Sequence, residues 1–509
     1  MKLQRRFVLG VAALAVSLSF GIAPALAQKV LTVGNPFAPQ SIDPSMSGNG
    51  RAGTALMPAY EPLVREKADG SIEPALAASW KVSPDNKEVT FTLRKDAKFS
   101  DGEPVNAAAV KKSVEYFRSR KGPFTANLAS LTSIDVVSEY VVSFKLSESQ
   151  PSIVNLFSAY WLAGDIISPK ALATPDILGT QTFGAGPYKI DPAATITRKS
   201  YTYVKNEHYY DKSRQKWDKV VMTVFEDQNS GLQSLKSGQT QVLISDPITG
   251  NANANSLPKD IRIVSQPVGW TGLIFLDRDG KINPAFKDVR VRQAINMALN
   301  RPLVGRALFG NYIEPSVQMQ GKGFMGYDAA NEEKYAYSLD KAKALLAEAG
   351  YPNGISFTLA YVNNSLSVTL SQAVIAQLKR ANITVKPHEF QNFGVMNGSF
   401  AKKEYEALLF NSNFGPPNLS RFQTLMPKGS LNPYGSEDAE MLKLIGEATK
   451  LPVAKSEAAW KKVFTRVVDA AWFAPIGAAH AVYFASDKVK MPNIGASIVI
   501  DVVNMEPAK

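Results

Sequence analysis

The chain has 509 residues, 45% of them hydrophobic and 10% aromatic, no cysteine, and a formal net charge of +12. The lack of cysteine excludes disulfides, thiolate metal sites, cysteine nucleophiles and a lipidated cysteine at an export cleavage point. The apolar content supplies cores for two or three domains. The basic charge is spread without a dense Lys/Arg run, which describes a solvated face with a modest preference for anionic ligands rather than a nucleic-acid footprint.

Residues 1–27 combine a basic start (Lys2, Arg5, Arg6), an apolar stretch from Phe7 to Phe20 and Ala25-Leu26-Ala27 before Gln28. That is the layout of a secretory signal peptide. The apolar stretch falls short of the roughly 20 residues a bilayer crossing needs, and Pro24 interrupts its far end. Removing the segment takes away Lys2, Arg5 and Arg6 and no acid, so +12 becomes +9. Arg5-Arg6 leaves Sec and twin-arginine export both open. With no cysteine to lipidate, the expected location is the periplasm.

Downstream, Val89, Phe91 and Leu93 alternate with Thr90 and Thr92, the period of a half-buried strand. Ser83–Asn86 and Ser100–Gly102 supply turns on either side. Asn106 is placed to cap a helix that puts Val110, Val114 and Phe117 on one face. Another strand is expected at 140–146, which makes this segment a compact α+β unit. The second half is richer in helices. Val291, Ala294, Ile295, Ala298 and Leu299 fall at helical spacing, as do Ala342, Leu345, Leu346 and Ala349, with Ser338 as N-cap and Gly350 as stop. Strands at 355–361 and 383–387 complete an α/β pattern.

Chemistry-bearing motifs are scarce. Gly48-x-Gly50-x-x-Gly53 and Gly321-x-Gly323-x-x-Gly326 match a nucleotide fingerprint in letters, but neither follows a strand and opens a helix, so both are read as loops. His208, His388 and His480 are far apart, and no His-Glu-x-x-His, Gly-x-Ser-x-Gly or phosphate-loop pattern occurs. No motif argues for an enzyme, and no cofactor or metal is expected.

Several phrases, in order, resemble the extracellular solute-binding protein family 5, which includes dipeptide- and oligopeptide-binding proteins of ABC importers. They are Asp43-Pro44, Glu61–Val64, Pro74–Trp80, Phe91–Arg94 with Phe99–Gly102, Gly184–Tyr188, Val289–Asn296, and Asp340–Lys343 with Gly350–Pro352. The resemblance implies an α/β, two-lobed periplasmic-binding-protein fold of the class with an extra third α+β domain, and a ligand cleft between the lobes. Lobe I would comprise 28–60, 176–270 and 481–509, the extra domain 61–175, and lobe II 271–480. The protein would be a monomer that captures a small-molecule or peptide ligand and docks on an ABC permease in the inner membrane. Nucleic acid would not be a partner.

Peptide binders of the family usually carry a Trp-x-x-Asp-like stretch whose aspartate pairs with the ligand's amino terminus. Here an ungapped alignment puts Phe410 and Asn413 at those positions, so neutral cargo groups are expected. Asn411 and Asn413 offer donors and acceptors for hydroxyls, amides or sugars. Phe414 and Trp270 are candidates for stacking on a ligand, and Asn49 and Arg51 for serving an anionic group. Two other readings stay open: a secreted hydrolase on a related scaffold, and a periplasmic chaperone or sensor partner.

Overall fold

The computed structural model describes residues 28–39, 41–47, 53–67, 71–120, 122–427, 429–493 and 500–508. The expected signal segment, residues 1–27, lies outside them. Among the described residues no helix is long and apolar enough to cross a membrane.

The period-two segment forms the strand Glu88–Leu93, with Val89 and Phe91 fully buried. It lies inside a four-stranded antiparallel sheet with Ala77–Val82, Val141–Leu146 and Leu131–Ser138. Asn86 takes a left-handed conformation in the turn before it (φ 55°), and Gly102 does so in the turn after (φ 89°). Asn106 caps the helix Ala107–Ser119 by accepting from the Ala109 N–H at 2.9 Å. Val110, Val114 and Phe117 turn inward on it. Ser338 caps Leu339–Glu348 in the same way, and Gly350 ends it with φ 92°.

Lobe I carries three parallel strands, Val30–Asn35, Lys219–Val224 and Val242–Ser245. Lobe II carries three more: Ile355–Val362, Ile383–Phe390 and Ala407–Asn413. Two long antiparallel strands, Ile261–Phe275 and Phe473–Ser486, run through both and fuse them into one eleven-stranded sheet. Their ladder slips twice, between Pro267 and Gly269 and between Thr271 and Gly272. Val268 is the extra residue on one strand and Ile476 on the other. Such bulges bend a strand and raise its local twist, so the two lobes meet at an angle across a double bulge.

The first lobe and the four-stranded unit share one apolar core, in which Leu31 and Val33 belong to the same cluster as Phe91, Val110 and Phe144. Lobe II has a core on each face of its sheet. Leu273, Phe275, Ala407 and Leu409 serve one face, and Trp270, Ile274 and Leu408 the other. This is the alternation of a strand buried on both sides.

His480 sits on the lower bulge opposite Pro267. Its Nδ1 is 3.5 Å from Ser265 Oγ, its ring packs edge-on to Tyr312, and its Nε2 has no partner among the described residues. Burial pulls its pKa from the ordinary 6.5 to about 4. The unfolded chain therefore takes up a proton between pH 6.5 and 4 that the folded chain refuses, and stability falls as pH falls through that window. Replacing His480→Asn removes this component. Thermal unfolding from pH 7 to 4 is expected to show a shallower decline in Tm for the variant than for the parent.

Candidate functional site

In open α/β sheets ligands bind outside the carboxyl ends of the parallel strands. Ala407–Asn413 changes character at that end. Ala407, Leu408 and Leu409 are buried, Phe410, Ser412 and Asn413 are half-buried, and Asn411 is exposed. Its partner strand is so close that a Cβ on Gly269 would stand 2.0 Å from the Ser412 carbonyl oxygen.

Register decides which side chains face which way. Gly269 pairs with Asn413, Trp270 with Ser412 and Thr271 with Asn411. Asn411 and Asn413 therefore share one face, and Trp270 points to the other. The structure places Trp270, expected to stack on a ligand, in the core: it is 2% exposed and meets Phe473 edge-on with ring centroids 5.6 Å apart. Phe414 is buried too, tilted against Phe324 at 4.4 Å. It lies over Gly321, where a Cβ would come within 2.6 Å of its ring. Both aromatics therefore pack beneath the polar strand end. The second glycine motif is thereby explained as close packing followed by turns, with Gly323 and Gly326 at φ 87° and 90°. Asn49 and Arg51 lie outside the described residues.

Asn413 reaches a distant stretch of the chain. Its Nδ2 donates to the Tyr160 hydroxyl at 2.7 Å. Tyr160 stands edge-on to Trp161 at 4.9 Å, which in turn meets Phe124 edge-on at 6.0 Å. A Cβ on Gly415 would lie 4.0 Å from Trp161 Cζ2. The same stretch of chain makes a second bridge, from Ser149 Oγ to the Thr449 carbonyl at 3.3 Å. Glu148 also opposes the effect of burial on Arg421, whose pKa is drawn down to about 10. Residues 149–160 are thus tied to lobe II by two hydrogen bonds. Asp165, four residues beyond Trp161, is buried, and neither carboxyl oxygen has a partner among the described residues. Burial, reinforced by Glu61, pushes its pKa well above the carboxylate range.

Tyr160, Trp161 and Arg421 escaped the sequence reading. The adjacent aromatics of Ala159-Tyr160-Trp161-Leu162 were the available signal, but they lie in turns where no period marks a face.

Removing the neutral hydrogen bond between Asn413 and Tyr160 costs about 0.5–1.5 kcal/mol, roughly a 2- to 12-fold shift in a two-state ratio. Small-angle scattering of the ligand-free protein is expected to give a larger radius of gyration for both Asn413→Ala and Tyr160→Phe. The double variant should open no further than either single one.

Comparison with known proteins places this geometry among solute receptors. Residues 71–430 match the family model described as "Bacterial extracellular solute-binding proteins, family 5 Middle". The chain is 28% identical over 417 residues to the probable D,D-dipeptide-binding periplasmic protein DdpA of Escherichia coli (strain K12), covering 78% of each. It is 28% identical over 383 residues to the glutathione-binding protein GsiB of Salmonella choleraesuis, covering 74% of this chain and 72% of that one. Among solved structures, the binding protein AgaA of A. tumefacien R10 in complex with agropinic acid superposes with a TM-score of 0.81 at 25% identity, over 94% of this chain and 99% of that one. The periplasmic binding protein DppA from Helicobacter pylori with peptide STSA gives 0.80 at 23%, over 95% and 99%.

Proposed function

Because this chain belongs to the bacterial extracellular solute-binding proteins of family 5, we propose that its cargo is a peptide or a peptide-sized polar solute bound largely through neutral groups. The chain is the periplasmic substrate-binding component of an ABC importer. Its lobes close on the cargo and deliver it to the inner-membrane permease. A ligand favours closure only through contacts that are better in the closed form than in the open one. The observation carrying the cargo assignment is the pair of asparagines on one face of the strand end, with Asn413 bonded across the cleft to Tyr160.

Asn411 and Asn413 present amide donors and acceptors, with Phe414 bracing them from below. An amine terminus would find no carboxylate at position 413. Of the relatives compared above, DdpA is named as a probable D,D-dipeptide-binding protein and GsiB as a glutathione-binding protein, and AgaA is named in complex with agropinic acid. These are the compounds to try first, as compact polar solutes in this size class. In this reading the protein binds without turnover and works as a monomer. Lobe I takes 28–60, 176–270 and 481–509, the extra domain 61–175, and lobe II 271–480.

Native mass spectrometry of mature protein purified without refolding tests the proposal. A co-purified small mass, or a set of short-peptide masses, is the expected result. A protein that retains no solute and binds no added di- to pentapeptide, or that returns them cleaved, would overturn it.

Asn413→Asp is expected to raise affinity for peptides with a free amine at least tenfold, since one member of a buried charged pair is worth about 2–5 kcal/mol when its partner is present. Calorimetric titration of parent and variant with Ala-Ala and its N-acetyl form checks this. Equal gains for both forms would remove Asn413 from amine recognition.

A further inference from the structure

Gly415 lies just beyond the polar strand end, and nothing in the fold asks for a glycine there. Glycine is usually required by a left-handed backbone or by a neighbour that leaves no room for a Cβ. The first cause holds at Gly323 and Gly350, with φ 87° and 92°. The second holds at Gly269, Gly321 and Gly477, where a Cβ would stand 2.0, 2.6 and 2.4 Å from another atom. Gly415 shows neither. It is not among the glycines with positive φ, and a Cβ built on it meets one atom within 4 Å, Trp161 Cζ2 at the ordinary contact distance of 4.0 Å. Chain flexibility is not the reason either, because Pro416 and Pro417 follow at once, and a proline restricts the residue before it to extended conformations. What the glycine leaves is room.

Two adjacent aromatics border that room. Phe414 turns into the core against Phe324, while the residues on either side of it meet Tyr160 and Trp161. Asn413 bonds Tyr160 at 2.7 Å, and the vacant side-chain position of Gly415 lies against Trp161. One pair is closed by a hydrogen bond and the other is left apart. Trp161 is 5% exposed and stands edge-on to Tyr160 at 4.9 Å and to Phe124 at 6.0 Å. A buried indole N–H usually finds a partner. Trp161 Nε1 has no acceptor among the described residues, so no hydrogen bond from it pins the ring.

We propose that Gly415 and Trp161 are specificity-determining residues for the cargo: an uncharged part of the solute, a flat amide or a small side chain, lies over the bare Gly415 backbone with the indole edge as its outer wall. The inference rests on the receptor reading above, in which Trp161 belongs to the extra domain and Gly415 to lobe II. The subsite is then completed only when those two parts come together. Its walls are backbone and ring carbon, which fits a cargo held through neutral groups. Position 415 acts as a size limit, because each carbon added there occupies cargo space and the indole keeps the cargo from shifting aside.

The test is calorimetric titration of the mature protein with Ala-Ala, Ala-Ala-Ala and glutathione. The variants are Gly415→Ala, Gly415→Leu, Trp161→Phe and the Gly415→Leu/Trp161→Phe double, each checked for folding by circular dichroism. Trp161→Phe removes Cζ2 and keeps an aromatic ring against Tyr160 and Phe124. For the probe that the parent binds best, Gly415→Ala should weaken binding about 2- to 10-fold and Gly415→Leu about 10- to 100-fold, as overpacking of a filled site does. The double variant should bind at least about 5-fold more tightly than Gly415→Leu, the coupling expected of two residues that share one space. Parent-like binding by Gly415→Leu, or a double variant no better than Gly415→Leu, would overturn the subsite and leave the receptor reading standing. A parent that binds none of the three probes and no other di- to pentapeptide would overturn the cargo reading and the subsite together.

Discussion

The ladder between Ile261–Phe275 and Phe473–Ser486 is the constraint on which the rest depends. It is a single run of backbone pairing that serves two sheets, and it is broken by one extra residue on each strand. Between the bulges lie Gly269 and Gly477, whose lack of a side chain lets neighbouring strands press in from both sides. The Ser412 carbonyl occupies the place of a Cβ on Gly269, and the Glu314 carbonyl crowds that of Gly477. The polar strand end is thus held against the bend itself.

The second crossing strand is in turn fixed by polar side chains bonded to its backbone and the residues just before it. Arg292 holds the carbonyls of Ala470 and Ala471, Asn296 Nδ2 holds that of Phe473, and Arg301 Nε holds that of Pro475 at 2.6 Å. One short helix, Val289–Met297, with the residues just after it, therefore sets the start of the strand on which closure turns. The four-stranded unit has a different anchor. Glu61 pairs with Arg65 and accepts from the Tyr209 hydroxyl at 2.9 Å, while Arg65 also bonds Tyr210 at 2.8 Å. Glu61, Arg292 and Asn296 fall in phrases that carry the family resemblance, which explains why those phrases mark the fold and leave the cargo open.

Elements with local signals were legible. Asn106 and Ser338 are caps because a short polar side chain satisfies an otherwise unpaired helical N–H, and Glu88–Leu93 alternates because it is covered on one side. The crossing strands were not legible as strands. Gln266-Pro267, Gly269, Gly272, Pro475 and Gly477 read as breakers, yet here they mark bulges and close approaches. Which face Trp270 occupies depends on register, which no single segment reveals. The helix Ser365–Lys379 carries a weak signal in the sequence because its Ser, Thr and Val residues blur the helical stripe. At the site, Asn413 was found by its likeness to a motif. Its partner Tyr160 lies 253 residues away, in turns without a period.

The neutral character of that contact bears on how closure is controlled. Shifting a receptor from mostly open to mostly closed, from 1:99 to 99:1, takes about 5.5 kcal/mol of differential binding. An amide–phenol hydrogen bond supplies about 0.5–1.5 kcal/mol net, so Asn413 and Tyr160 can orient the closed form but cannot hold it alone. A carboxylate at position 413 would make a stronger bond to the same hydroxyl, about 1.5–3 kcal/mol. It would bias the empty receptor toward closure and would have to be desolvated each time. With asparagine the latch is weak in the absence of cargo, and most of the closing free energy must come from the ligand. That arrangement suits a receptor whose closed form is to signal an occupied cleft.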